Sequence, residues 1–301
     1  MPPLSTYQRN RLLLTLAASV ACALFWFAGK WLSIPEHTGR EMSLALQPTP
    51  LFDLLLAGIV LGVATALGTA IAGSIRFDAG LFAGAVGLAA LSCRGGPMRY
   101  VTQAGGGRGE FLAMALELLV LGGLLGAAWA GLVLLHRRGR LLGDALRDGL
   151  KDQPHPTGER VLALATQAGA TAVVVLLLVR VDDKKQVLAS VSIASFVGTL
   201  MAYAVSPVRP SIWYWAGPIV VGFLGYLAAY VSFGTVDPVV WKSGTGGGIF
   251  APLARPLPLD YASVGTAAAI AGYWTSRQWH RAKELEKEAQ EAAGGPEAFA
   301  G

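Results

Sequence analysis

Eight apolar runs alternate with short polar segments along the chain. Crossing the hydrocarbon core of a bilayer takes about 20 helical residues that each rise about 1.5 Å, and most of the runs approach or reach that length. The third run is short and the eighth contains polar residues. The pattern therefore predicts an all-α, polytopic transmembrane helical bundle with about eight spans, in a range of six to eight. The runs cover approximately residues 12–32, 52–75, 79–93, 111–135, 161–179, 186–206, 213–233 and 261–279.

Composition supports a membrane location and argues against a soluble nucleic-acid-binding protein. Hydrophobic residues make up 53% of the 301 residues and charged residues 14%, whereas a soluble domain has about 25% charged residues. The net charge of +5 comes from Lys and Arg between the apolar runs, where they orient helices and contact anionic lipid. We expect a multi-pass protein of the cell membrane, whose partner is the lipid bilayer and which binds no nucleic acid.

The distribution of basic residues predicts the orientation of the chain. The segment between the fourth and fifth runs is strongly basic, so the positive-inside rule places it, and both termini, in the cytoplasm. We expect the first run to stay as an uncleaved helix. Residues 1–280 are then the transmembrane helical domain, and residues 281–301 form a cytoplasmic helical tail. The basic residues that decide this orientation are Arg137, Arg138, Arg140, Arg147, Lys151 and Arg160.

Polar side chains form stripes along three of the predicted helices. Such stripes either line a polar pathway or pack helices together through hydroxyl groups and small residues, and the sequence leaves both alternatives open. The stripes contain Thr65 and Thr69 in the second run, Gln167 and Thr171 in the fifth, and Ser192, Ser195, Thr199 and Tyr203 in the sixth. Glycine pairs four residues apart favour packing, because they let helix backbones approach closely. These pairs are Gly58 with Gly62, Gly80 with Gly84, and Gly122 with Gly126.

Glu117 is the acidic residue that lies well inside an apolar run. A charge in that position costs about 2.5–3.5 kcal/mol, so the carboxyl group must be neutral, paired or in contact with water. It is either a proton or cation relay group or a structural acid bonded to a neighbouring helix. Its candidate partners are Arg76, Arg94, Arg99 or a hydroxyl stripe.

The chain lacks the sequence signatures of the common soluble enzymes. Its histidines are scattered and form no metal-binding spacing, the glycines at 105–107 lead into no phosphate loop, and no nucleophile elbow occurs. The segment Gly246–Pro252 resembles the G-x-F-x-P motif of the chloride channel and transporter family. The other two motifs of that family are absent, so we assign no family. We expect no enzymatic activity, no metal and no cofactor.

Two functional hypotheses follow from these features. The polar stripes and Glu117 favour a transporter, permease-like or channel-like protein for a small solute or ion. The Gly/Ala-rich helix faces favour a non-catalytic structural or assembly subunit of a larger membrane complex, associating with itself or with other proteins through those faces.

Overall fold

The computed structural model describes residues 5–32, 43–99, 101, 107–137, 155–232 and 250–293, and these residues are helical without β-strands. Ser5 begins the first helix with a capping box, in which its hydroxyl group accepts from Gln8 N and its own amide donates to the Gln8 side chain. The long helices are α1 (Thr6–Ala28), α2 (Pro50–Ala72), α3 (Ala79–Arg94), α4 (Arg108–Arg137), α5 (Thr157–Leu178), α6 (Lys184–Val205), α7 (Ile212–Ser232) and α8 (Thr266–Ala293).

Shorter helical segments precede α2 and α8. A 3₁₀ turn, Leu44–Leu46, lies before α2. A single helical turn, Ala251–Ala254, is followed by the short helix Pro258–Asp260 and by a π-helical turn, Tyr261–Gly265, which continues directly into α8. Because π turns break the regular hydrogen-bond ladder and often occur at functional sites, the segment that leads into α8 is a candidate functional region.

Contacts between helices show that odd-numbered helices run in one direction and even-numbered helices in the other. The α1 and α3 helices are parallel, since the Cys22 thiol lies 3.7 Å from Val86 O and Arg94 Nη1 donates to Trp26 O. The α5 and α6 helices are antiparallel. We call the end of the bundle where α1, α3, α5 and α7 finish the Asp260 end, and the opposite end the Asp78 end.

Among the described residues, six helices, α1, α2, α4, α5, α6 and α7, are long and apolar enough to cross a membrane. The described part of the chain is all-helical and has the long apolar helices of an integral membrane protein. The α3 helix has 16 residues and extends about 24 Å, which is shorter than the hydrocarbon core of about 30 Å. The α8 helix starts apolar and becomes strongly charged, and it runs without interruption through Ala293 into the predicted tail.

Two segments singled out from the sequence lie partly outside the described residues. They are the basic loop, of which residues 138–154 are not described, and the Gly/Pro-rich loop, of which residues 233–249 are not described. The Gly246–Pro252 motif is therefore described only from Phe250 onward, where the helix that follows has four residues.

Candidate functional site

A buried ion pair lies at the Asp260 end of the bundle. Asp260, which is 1% exposed, is in the first turn of the last helix, where a carboxylate is stabilised by the unpaired amides of the helix start. Its Oδ1 accepts from Lys184 Nζ at 2.5 Å and from the Ser92 hydroxyl group, and its Oδ2 accepts from Leu257 N at 2.9 Å. Asp260 thus joins α3 and α6 to the helical segment that leads into α8, and both of its oxygens are hydrogen-bonded.

A second pair of charges, Asp182 and Arg255, is buried beside this ion pair. Arg255 Nη1 donates to Val179 O at 3.2 Å and to Arg180 O at 2.7 Å, so its guanidinium group satisfies carbonyls at the end of α5. Burial raises the pKa of Asp182 to about 6, although a hydrogen bond from the Arg99 amide and the charges of Arg255, Arg99 and Lys184 oppose the shift.

Glu117 of α4 is also buried, with 1% of its surface exposed. Its Oε2 accepts from the Ser43 hydroxyl group and from Ala45 N at 3.1 Å, both of which precede α2. Its Oε1 is buried and has no hydrogen-bond partner within the part of the chain that the structure describes. The partners of Glu117 therefore come from the loop before α2 rather than from the arginines or stripes that the sequence suggested.

Two tyrosines are buried near Glu117 and the Asp260 ion pair. The Tyr226 hydroxyl group donates to Pro256 O and interacts electrostatically with both carboxyl groups. The Tyr261 hydroxyl group donates to Leu253 O at 2.9 Å, and the two rings meet edge to face with centroids 6.5 Å apart. Glu117 and Asp260 also interact electrostatically with each other. The two carboxyl groups are therefore close enough to interact, and we refer to them and the tyrosines from α7 and the π turn as the buried polar network.

The polar side chains of the α2 and α5 stripes form hydrogen bonds within their own helix or to a neighbouring helix. Thr69 Oγ1 donates to Thr65 O at 2.7 Å within α2. Gln167 Nε2 donates to Thr171 Oγ1 at 3.1 Å, and Thr171 Oγ1 donates across to Ala194 O of α6 at 3.3 Å. Hydroxyl groups in this arrangement hold helices together. The buried Oε1 of Gln167 has no hydrogen-bond partner among the described residues.

The side chains of the α6 stripe lie in several different environments. Thr199 Oγ1 donates to Ser195 O at 2.9 Å, while the Ser195 hydroxyl group is buried without a hydrogen-bond partner in the described chain. Ser192 is half-buried. Tyr203 belongs to an aromatic cluster at the Asp78 end, where its ring centroid lies 5.8 Å from those of Tyr214 and Tyr273. The four side chains of this stripe therefore have different surroundings.

The glycines differ sharply in their surroundings. A Cβ at Gly80 would lie 1.9 Å from Thr69 Oγ1, and one at Gly84 would lie 2.6 Å from Thr65 Oγ1. A Cβ at Gly58 would meet Leu124, and one at Gly122 would meet Ile219. Gly62 and Gly126 have no described atom within 4 Å of that position. The predicted packing role of these last two therefore has no counterpart among the described contacts.

Comparisons with protein-family models, with curated proteins and with solved structures find no match for this chain. Within the described ranges, no group of three or more His, Cys, Asp and Glu side chains could hold a metal ion.

Glu117 is recognisable in the sequence, whereas Asp260, Lys184, Asp182 and Arg255 are not. These residues lie in polar segments between the apolar runs, where charges are usually solvated. One signal was present, since Pro258 with Asp260 two residues later is the pattern of a helix start. That pattern predicts a helix and not the depth at which the carboxylate is buried.

The raised pKa of Asp182 predicts a pH-dependent stability. A carboxyl group whose pKa is raised in the folded state contributes fully to stability below its ordinary pKa of about 3.9, and the contribution is lost as pH rises through about 6. Between about pH 4 and pH 8 the loss is at most about 3 kcal/mol. We expect Asp182→Asn to flatten the fall in melting temperature across this range, measured in detergent.

Asp183→Asn is the matched control for that measurement. Asp183 is exposed and caps α6 through its bonds to Lys185 N and Gln186 N, and asparagine caps helices equally well. The control should keep the wild-type pH dependence. An Asp182→Asn profile with the same slope as the wild type would show that another group titrates.

Proposed function

We propose that this protein is a permease-type transporter for a small solute or ion, in which Glu117 is the carboxyl group that binds and releases a proton. The observation that carries the proposal is the buried Oε1 of Glu117, which has no hydrogen-bond partner among the residues that the structure describes. An ionised carboxylate with a free oxygen is costly in an apolar interior, so the group must accept a proton or a cation. Carboxyl groups at such depth commonly belong to proton relays in membrane transporters.

The surroundings of Glu117 support this role. The helical segment before α8 is interrupted between Ala254 and Pro258, and a π turn follows Asp260 directly. Secondary transporters commonly place binding sites where helices are interrupted, because the freed backbone groups can bind ions and polar solutes. A change in the charge of Glu117 would act on Asp260 and Tyr226, with which it interacts electrostatically. Protonation of Glu117 would therefore act on the hydrogen bonds through which Asp260 joins α3 and α6.

The topology that we propose for the transporter has eight crossings in the cell membrane. In it, α3 and the first part of α8 complete the six longer spans. The N- and C-termini then lie in the cytoplasm, as the basic residues after α4 favour. The Asp260 end faces the outside in this arrangement.

The competing proposal is a structural subunit of a larger membrane complex. It is favoured by the tight contacts of the stripes, such as Thr69 against Gly80 and Thr171 against Gly198. Small residues and hydroxyl groups at such contacts serve helix association without any transport. The two proposals differ in whether Glu117 is needed for ion movement.

Proton flux into proteoliposomes tests the transporter proposal. We expect purified protein to acidify the lumen, reported by a trapped pH dye, when a potassium diffusion potential is imposed. Glu117→Gln should lower this flux by more than about tenfold, because glutamine keeps the bonds to Ser43 and Ala45 but cannot release a proton.

Glu159→Gln is the control, because Glu159 is an exposed acid that pairs with His155 at 3.1 Å. It should leave the flux unchanged. Equal flux in Glu117→Gln and wild-type protein would contradict the proposal. An absence of wild-type flux, together with a stable hetero-complex in mild detergent, would favour the structural subunit.

A further inference from the structure

A groove with a volume of about 610 Å³ runs along the side of the bundle, away from the buried carboxyl network. It lies within the range of about 300–1,000 Å³ that small-molecule sites occupy, and it is open at the side rather than enclosed. Three helices, α1, α3 and α8, contribute its walls. Its lining includes Arg11, Ser19, Cys22, Phe82, Val86 and Trp274.

The length of the groove matches one leaflet of a bilayer. Arg11 and Cys22, which both line it, are 11 residues apart on α1, a distance of about 16 Å along the helix. Half of a hydrocarbon core of about 30 Å is about 15 Å. The groove therefore extends from the Asp78 end to about the middle of the membrane, and its apolar part suits an acyl chain.

Positive charge gathers where the groove meets the Asp78 end. Arg11 lines the groove itself, and Arg76 Cζ lies 5.0 Å above the ring of Trp274, another lining residue. Arg277 and Arg281 interact electrostatically with Arg76. The acid that faces these groups is Asp78, which is buried and accepts from Trp274 Nε1 at 2.7 Å. A single carboxyl group leaves Arg11, Arg76, Arg277 and Arg281 with an excess of positive charge.

We propose that this groove binds one anionic phospholipid of the leaflet at the Asp78 end. Its acyl chain lies along α1 against Phe82 and Val86, and its phosphate pairs with Arg11 and Arg76. Guanidinium groups bind phosphate through paired, charge-assisted hydrogen bonds, which gives the site a preference for anionic over zwitterionic headgroups. The occupant is a lipid rather than a free phosphate, because the apolar length of the groove contributes most of its surface. This site is independent of the proposed transport function.

Native mass spectrometry of the full-length protein tests this site. The protein is released from nanodiscs that contain equal amounts of phosphatidylglycerol and phosphatidylcholine. We expect a tightly bound phosphatidylglycerol adduct, at least about fivefold more abundant than the phosphatidylcholine adduct. Arg11→Gln should reduce the phosphatidylglycerol adduct by at least about fivefold, and Arg9→Gln should not, because Arg9 has the same charge but does not line the groove.

A second measurement locates the acyl chain. A phosphatidylglycerol analogue with a photoactivatable group in its acyl chain should crosslink to α1 between Arg11 and Cys22 and to α3 near Phe82. Ser19→Phe, which fills the groove, should abolish that crosslink, and Leu16→Phe on the exposed side of α1 should not. Equal loss of the adduct in Arg9→Gln and Arg11→Gln would overturn the proposal in favour of general surface attraction. Crosslinks elsewhere, or equal binding of phosphatidylcholine, would also overturn it.

Discussion

Replacing Lys184 by methionine should destabilise the protein by about 3–5 kcal/mol, because it removes one partner of a buried ion pair. Asp260 is 1% exposed and would be left without the ammonium group that now lies 2.5 Å from its Oδ1. The Ser92 hydroxyl group and Leu257 N would remain as donors, but neither carries a charge. Since 13% of the Lys184 side chain is exposed, water can replace part of the interaction, and we expect the lower end of this range. Thermal unfolding in detergent measures the effect.

Two further variants separate the lost ion pair from other consequences of the substitution. Lys185→Met changes an exposed lysine in the same helical turn and should alter stability little. The double variant Lys184→Met/Asp260→Asn removes both charges and should recover a large part of the loss, since an uncharged pair leaves no isolated carboxylate. If the double variant is less stable than Lys184→Met, the cost does not come from an unpaired charge.

The helices of this protein could be predicted from the sequence far better than its polar network. Apolar length and composition identify α1, α2, α4, α5, α6 and α7, because a bilayer imposes a length that the sequence must match. The same criterion does not decide α3, which is too short, or α8, which becomes charged along its length. Their contribution depends on neighbouring helices and not on their own composition.

The network could not be predicted because its members meet only through tertiary structure. Lys184 and Asp260 are 76 residues apart, and Ser92 and Asp260 are 168 apart. In the sequence, Asp182 and Lys184 belong to a charged segment that looks like an ordinary solvated loop. Glu117 was detectable because an acid inside an apolar run is costly wherever it points. Its partner Ser43 lies in a loop, where a serine carries no particular signal.

Glycine spacing was an equally incomplete guide to packing. Gly58, Gly62, Gly80 and Gly84 share the same four-residue spacing, yet Gly62 faces outward and Gly80 lies against Thr65 and Thr69. Spacing places two glycines on the same side of a helix, whereas only the neighbouring helix determines whether that side is in contact.

Replacing Gly80 by alanine should therefore destabilise the protein by more than about 3 kcal/mol, at or above the usual cost of overpacking. The added Cβ would lie 1.9 Å from Thr69 Oγ1 and 2.5 Å from the backbone oxygen of Thr65. A side chain can rotate away, but a backbone oxygen of α2 cannot move unless α2 and α3 separate. Because α3 is packed against α1 as well, the strain would spread through all three helices. Thermal unfolding and the yield of monodisperse protein measure the effect.

Gly62→Ala makes the same chemical change on α2 where nothing described lies within 4 Å. Alanine favours a helix over glycine by about 1 kcal/mol in water, so this variant should be neutral or slightly stabilising. The intrinsic helix preference of alanine over glycine contributes equally to both variants. The difference between their free energies of unfolding therefore reports the cost of the close contact at Gly80. Similar stabilities for Gly80→Ala and Gly62→Ala would mean that α2 and α3 are not packed as closely as described. A large loss for Gly62→Ala alone would instead point to a partner helix on the outward side of α2, which is what the structural-subunit proposal requires.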